Sequence, residues 1–328
     1  MESSSESHLV FLEIINSFSV ANSKTCGEVF IKHFSKIDSI KIESEYSKHF
    51  EIAKSKNIKT YKEKEKEIFK DGIWTAEQEN KIKDIKMFIE GMNEHLSKSF
   101  LYSKRKIFKK EIYDAEIRLN SLISQKNYFI GKTAESFAND KARYYQILSS
   151  FYKDEGLKNK LIDLIPEEEL YIELKELYEK SMQKINGKTI KKISLSPFFY
   201  SMYSMCGDNA YYFYGKPISH LTNFQIDLMS YGRYFKDMLS KYGSKIPDEM
   251  NEDPDDIMEW LSINQNVESS GILKEDDGQN ISSTSITGAT KEDLKLMGIN
   301  PAQIVNMSKE ISKHGGIIDK DAMYKMNA

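Results

Sequence analysis

WTAEQENKIKDIKMFIEGM, residues 74–92, combines a signal for the start of a helix with a regular apolar stripe. Thr75 stands where a helix N-cap is expected, and Gln78 follows three residues later, the spacing of a capping box. Apolar residues then recur at alternating intervals of three and four, which is typical of a helix with one buried stripe. The sequence therefore predicts a long helix whose stripe is formed by Ile82, Ile85, Ile89, Met92 and Leu96.

A second stripe with the same spacing follows further along the chain. It is out of register with the first, and the slip falls within SKSFLYSKRK, residues 97–106. Such a slip is too abrupt for one smoothly supercoiled helix, so we predict an antiparallel hairpin that turns between about Phe100 and Lys106. A single long helix with a rotating buried face stays open as an alternative, because 97–106 contains no Gly or Pro. The second stripe is formed by Phe108, Ile112, Ala115, Leu119, Leu122 and Phe129.

Helical patterns also dominate the rest of the chain. Residues 8–36 predict one or two short helices, LVFLEIINSF and GEVFIKHFSKI, broken at NSKT, while SIKI at 39–42 alternates like a short strand. Further helices are predicted in 131–152 and from Pro166 onward. Thr222 and Gln225 repeat the capping-box spacing before another. The chain is therefore predicted to be mainly α-helical up to Leu261.

The character of the sequence changes after this point. Residues 264–288 are polar, acidic and rich in Gly and Ser, a composition that cannot bury enough apolar area to fold. We therefore predict an N-terminal helical segment at 1–71, a long helical or coiled-coil-like hairpin at 72–152, a Tyr/Phe-rich helical domain at 153–263, a disordered linker at 264–288 and a short helical tail at 289–328.

Several classes of site find no support in the sequence. Cys26 and Cys206 are the only cysteines, too few for a disulfide framework or a thiolate zinc site, and the six histidines lack metal-binding spacing. Neither GKT sequence, at 131–133 or 187–189, has the preceding glycine of a phosphate-binding loop. No signal peptide or membrane-length apolar run is present. We expect a soluble intracellular protein with no cofactor and no metal.

Charge is distributed unevenly along the chain. Residues 41–110 contain 18 basic and 12 acidic residues, and residues 248–293 contain 2 basic and 13 acidic residues. The lysines and aromatic residues of 41–110 could bind a nucleic-acid backbone and stack on bases. Glutamates interleave with the lysines, which favours a solvated helix face instead. Nucleic-acid binding therefore remains the alternative function.

Two short motifs admit both a chemical and a structural interpretation. The carboxylates of IPDEMNEDPDDIMEW, residues 246–260, could bind a cation, but Asp253 before Pro254 favours a capped helix that carries Trp260. In CGDNAYYFYGKP, residues 206–217, Cys206 has no adjacent cation to activate it. Gly207 and Asp208 are typical of a turn. We predict that the following Tyr and Phe rings pack in the core rather than serve catalysis.

Three segments together resemble structural or assembly proteins of tailed bacteriophages. They are GIWTAEQENKI at 72–82, CGDNAYYFYGKPISHLTNFQIDLMSYGRYFKDML at 206–239 and IPDEMNEDPDDIMEW at 246–260, and GATKEDLKLMG with the late GG at 315–316 fits the same pattern. The resemblance implies a role in tail or baseplate morphogenesis as a component or chaperone. It implies a location in the host cytoplasm or in the virion.

The expected function is therefore that of a non-enzymatic protein that binds other virion or assembly proteins, with homo-oligomers possible. Sustained apolar helical spacing and an amphipathic C-terminal segment are typical of partner binding. No catalytic constellation is recognisable in the sequence. The predicted partner-binding residues are Leu294, Leu296, Met297, Ile304 and Ile311.

Overall fold

The computed structural model describes residues 2–162, 165–247, 253–269 and 289–296. These residues form thirteen α-helices and three short strands, so the prediction of a mainly α-helical fold is confirmed. The chain divides into two compact units, each built from two separate parts of the sequence. Unit 1 comprises residues 1–76 and 125–245, and unit 2 comprises residues 77–124 and 246–328.

Unit 1 begins with a helix, α1 (Glu2–Asn16), and an antiparallel hairpin of β1 (Phe18–Ser23) and β2 (Gly27–Lys32). The predicted helix over GEVFIKHFSKI is therefore wrong. Val29 and Ile31 are buried on one face of β2. Buried side chains therefore recur at every second residue, as in a strand, and not with the spacing of a helix. A third strand, β3 (Phe151–Tyr152), pairs antiparallel with the other edge of β2.

The predicted strand at 39–42 is also wrong. Ser35 and Asp38 form a capping box in which the Ser35 N–H donates to Asp38 Oδ2 at 3.0 Å. This cap begins a helix that continues through 39–42. The following helices are α2 (Lys36–Ser55), α3 (Tyr61–Lys70), α4 (Ala76–Lys98), α5 (Tyr102–Ile130), α6 (Ala134–Ser150), α7 (Glu168–Lys184), α8 (Gly187–Leu195), α9 (Pro197–Met205), α10 (Ala210–Tyr214) and α11 (Asn223–Tyr242).

Two apolar clusters among the described residues pack the helices and strands of unit 1 together. The first joins α1, α8, α9 and α11, and among its fully buried side chains are Ile14, Ile193, Phe199 and Leu228. Gly232 allows α11 to approach α9 closely, because a Cβ there would lie only 2.9 Å from the Phe199 ring. The second cluster packs β2 and β3 against α6 and α7, and it consists of Val29, Ile31, Ile147, Phe151 and Leu174.

Gln225 joins the start of α11 to the end of α1. Its Oε1 accepts from the Thr222 N–H at 3.1 Å, which completes the capping box predicted from the sequence. Its Nε2 donates to the Ile15 carbonyl oxygen at 3.1 Å and to the Ile14 carbonyl oxygen at 2.8 Å, which also accepts from the Ser17 N–H at 3.2 Å. The Gln225 side chain is completely buried, so water cannot replace these hydrogen bonds.

We predict that Gln225→Leu destabilises unit 1 by about 2–4 kcal/mol, since the Ile15 carbonyl oxygen loses this donor, the Ile14 carbonyl oxygen keeps only the Ser17 N–H, and the buried Thr222 N–H loses its acceptor. Trp74 lies in unit 1 and Trp260 in unit 2. Denaturant titration followed by fluorescence in a Trp260→Phe background therefore reports on unit 1 through Trp74. Gln183→Leu, at an exposed position of α7, is the matched control and should change stability by less than about 0.5 kcal/mol. Equal effects of the two substitutions would contradict the role assigned to Gln225.

Unit 2 contains the predicted antiparallel hairpin, formed by α4 and α5. The helices are interrupted at residues 99–101, which excludes a single continuous helix, but the rest of the predicted turn, residues 102–106, belongs to α5. The His95 and Phe108 ring centroids are 6.0 Å apart near the break, while Lys81 and Leu122 line one groove farther along. His95 near the end of α4 thus lies beside Phe108 near the start of α5, and Lys81 near the start of α4 lies beside Leu122 near the end of α5. The two helices are therefore antiparallel. Helix α4 begins directly after Thr75, as predicted.

Arg105 organises the turn of this hairpin. Its Nη1 donates to the carbonyl oxygens of Leu96 at 2.7 Å and Ser99 at 3.0 Å, where α4 ends. Its Nε and Nη2 bind the Glu259 carboxylate at 2.6 and 3.2 Å, and Lys109 Nζ binds it at 2.7 Å. Burial would raise the pKa of Glu259, but its hydrogen bonds with Arg105 and Lys109 hold that pKa below the ordinary value.

Glu259 lies on α12 (Pro254–Ser269), which Asp253 caps by accepting from the Asp255 N–H at 2.9 Å. The predicted capped helix is confirmed, and Trp260 on it is buried. The predicted linker at 264–288 is wrong in its first part: residues 264–269 are helical, and Ile263 and Val267 pack against Leu101. Residues 270–288 lie outside the described part of the chain.

The beginning of the predicted tail is anchored within unit 2 as helix α13 (Lys291–Leu296). Asp293 accepts from the Ser103 N–H and from the Ser103 hydroxyl, each at 2.7 Å, and Trp260 Nε1 donates to the Leu296 carbonyl oxygen at 3.1 Å. Leu294 and Leu296 are predicted to bind a partner, which requires that their side chains be exposed. Both side chains are buried instead. Met297, Ile304 and Ile311 lie outside the described residues.

Candidate interaction surface

The residues from 200 to 218 in unit 1 expose six large apolar or aromatic side chains. Exposure reaches 89% at Met205 and 75% at Tyr212, far above what a large apolar side chain shows when it is packed in a core. We call this set the aromatic face. It consists of Tyr200, Met202, Met205, Tyr211, Tyr212 and Ile218.

Helix α9 supports one half of the aromatic face. Pro197 occupies its first turn, and Phe199 and Tyr203, four residues apart, are buried on the same side against the first cluster of unit 1. Tyr200 and Met202, on the same helix, are 43% and 41% exposed. The exposed side chains are thus displayed on a helix whose other side is fixed by packing.

Helix α10 carries Tyr211 and Tyr212 of the aromatic face, and Ile218 lies in the 3-10 helix that follows, Ile218–His220. The Asn209 side chain accepts from the Tyr211 N–H at 2.9 Å, and Gly215 ends the helix in a left-handed conformation with φ +66°. One turn between these caps cannot bury four consecutive rings. Phe213 and Tyr214 pack on the core, as predicted, but the same prediction is wrong for Tyr211 and Tyr212, which are exposed.

A groove of about 590 Å³ adjoins the aromatic face and shares Ile218 with it. Its apolar lining includes Leu221, Ile226 and Met229. Arg233 and Asp208 provide the charged groups. The groove can therefore accept apolar side chains and a polar or charged group at the same time.

Asp208 is a turn residue, as predicted, and adopts the left-handed conformation at φ +63°. Lys236 Nζ binds both of its carboxylate oxygens, at 2.8 and 2.9 Å, and holds the pKa of Asp208 below its ordinary value. Burial and the Asp208 charge raise the pKa of Tyr203 to about 12. Neither group changes its protonation near neutral pH, so this pair is unsuited to general acid–base chemistry.

Cys206 behaves as a structural residue. Its thiol is buried and donates to the Tyr203 carbonyl oxygen at 2.9 Å. Residues 206–217 therefore form a turn and a short helix. Of the four rings that they carry, Phe213 and Tyr214 pack on the core, and Tyr211 and Tyr212 are exposed.

Glu13, Ser19 and His33 are the described residues that come nearest to a catalytic triad. Ser19 Oγ donates to Glu13 Oε2 at 2.6 Å and lies 2.8 Å from His33 Nε2. A nucleophilic serine would need histidine between itself and the carboxylate, whereas here serine bridges the other two. Ser19 and His33 are both 2% exposed, so no substrate reaches them. Sequence reasoning missed this cluster because it depends on the unpredicted pairing of β1 with β2.

We predict that His33 makes stability depend on pH. Burial, with a smaller contribution from the Lys216 charge, lowers the pKa of His33 to about 3, so the native state holds this ring neutral. The unfolded chain binds a proton near pH 6.5, so stability is complete above that pH and falls toward pH 3, by at most about 1.4 kcal/mol per pH unit.

The measurement is the denaturation free energy of the chain between pH 7.5 and pH 5. His33→Gln should flatten this dependence, and His220→Gln, at an exposed position, should leave it unchanged. An identical slope in the wild type and in His33→Gln would show that another group is responsible.

The lysine-rich region 41–110 carries many of its cations in ion pairs. Lys59 pairs with Glu67, Lys81 with Glu77 at 2.9 Å, and Lys98 with Glu94 at 2.5 Å. Arg105 and Lys109 bind Glu259, as described above. These pairs reduce the charge available to a phosphate backbone and favour the interpretation of a solvated helix face.

The residues that the structure describes contain neither a cluster of metal ligands nor a membrane-length helix. Among them no group of three or more His, Cys, Asp and Glu side chains has the arrangement of a cation site. In the same ranges no helix combines the length and the apolar character needed to cross a bilayer. Comparison with known proteins found no matching family model, no similar curated protein and no similar solved structure.

Proposed function

We propose that this chain is a non-enzymatic interaction protein that binds other proteins through the aromatic face. The observation that carries the proposal is the display of six large side chains within 200–218 on helices fixed from behind by a packed core. Tyrosine and methionine are enriched at protein interfaces, because they bury much area and adapt to the shape of a partner. The adjoining groove adds a place for a partner side chain.

We further propose that the partners are proteins of a bacteriophage virion and that the chain acts in tail or baseplate assembly, as a component or as a chaperone. This part rests on the resemblance of 72–82, 206–239 and 246–260 to such proteins. Half of the aromatic face, namely Tyr211, Tyr212 and Ile218, falls within the second of these segments. The sites of action would be the host cytoplasm and the assembling virion.

Affinity purification from a lysate of infected cells, followed by mass spectrometry, tests the proposal. We predict that Tyr211→Ser with Tyr212→Ser reduces recovery of virion structural proteins about tenfold or more, since exposed aromatic anchors supply much of the binding free energy. The matched control is Tyr113→Ser with Tyr128→Ser, two tyrosines that are 62% and 82% exposed outside the aromatic face.

Recovery of virion proteins that is equal for all three chains would contradict a role for the aromatic face. Retention of nucleic acid that disappears on raising the salt concentration would favour the alternative function of the region 41–110. Circular dichroism of each variant separates loss of binding from loss of fold.

A further inference from the structure

The hairpin of unit 2 does not bury its own apolar stripes completely. Ile82, Ile112 and Ala115 are buried, whereas the remaining stripe members within the hairpin are only half-buried. Two helices have too little surface to enclose a continuous seam, and coiled coils of this spacing gain from a further layer of helices. The half-buried members are Ile85, Ile89, Met92, Leu96, Phe108, Leu119 and Leu122.

One side of the seam is open as a groove of about 430 Å³. Ile85 and Leu122 supply its apolar lining, and Lys81, Asp84 and Arg118 supply charges of both signs. Phe88, 40% exposed, follows Asp84 by one helical turn and so extends the same side of α4. The groove is therefore an apolar strip with cations and an anion at its edges.

Asp84 and Arg118 line this groove without pairing with each other. Arg118 Nε contacts only the carbonyl oxygen of Asp114, at 3.3 Å, and within the described residues neither the Asp84 carboxylate nor the Arg118 guanidinium forms an ion pair. Lys81, in contrast, is bound to Glu77 at 2.9 Å. One acceptor and one donor of opposite charge thus remain available at the groove.

We propose that this groove binds the same groove of a second copy of the chain. In a two-fold dimer each contact occurs twice, so Asp84 of each copy meets Arg118 of the other and both charges are satisfied. The apolar lining of the two grooves then meets in the middle and forms a four-helix arrangement. Helices of this length, roughly 35 Å for α4 and 43 Å for α5, offer enough surface for a standard interface.

Variants of the full chain in which the charge of Asp84 or of Arg118 is reversed test the proposal. Their self-association is measured by sedimentation velocity. Asp84→Arg alone sets two arginines against each other, and Arg118→Asp alone sets two aspartates against each other. Each variant should therefore self-associate about tenfold more weakly or worse. An equimolar mixture of the two variants should dimerise again, because every contact then joins opposite charges.

Lys83→Glu is the matched control, an exposed charge reversal on α4 outside the groove, and should leave the dimer intact. Wild-type chain that remains monomeric at all concentrations overturns the proposal. A dimer that survives both single exchanges also overturns it, as does failure of the mixture to dimerise while both variants keep wild-type helicity. Binding of a different protein in the groove would appear as a wild-type monomer and counts against it.

Discussion

The hydrogen bonds of the Gln225 amide are the constraint on which unit 1 depends. One buried side chain caps the start of α11 and provides donors for the end of α1. Lys216 Nζ donates to the Ser17 hydroxyl at 2.7 Å, and Gln225 Nε2 lies 2.9 Å from the same oxygen. The strand β1 begins directly after this point, at Phe18. The position of α11 thereby fixes where the first helix stops and where the sheet starts.

The aromatic face follows from this arrangement. Helix α11 carries Gly232, against which Phe199 of α9 packs, so burial of Phe199 and Tyr203 determines which side of α9 faces outward. The exposed side chains are therefore held by the core behind them. A surface prepared in this way loses little conformational entropy when it binds, which is the physical reason to assign binding to it.

Sequence reasoning succeeded where local signals agreed with tertiary packing. The capping box at Thr222 and Gln225, the cap at Asp253 and the slip in register before Phe108 each depend on short-range chemistry, and the structure confirms the helix starts and the hairpin. The β-hairpin was missed because Val29, Phe30, His33 and Ile37 also fit a helical period. Exposure of Tyr211 and Tyr212 depends on how many rings one helical turn can bury, which composition does not reveal. The cluster of Glu13, Ser19 and His33 could not be predicted, because its residues meet only when β1 pairs with β2.

Hydrogen exchange measured on the chain alone and on its complex with a captured partner protein tests whether 197–220 is the binding surface. The account predicts that backbone amides in 197–220 exchange more slowly in the complex, while amides in 41–76 keep their rates. Slower exchange confined to 41–110, with 197–220 unchanged, would contradict it.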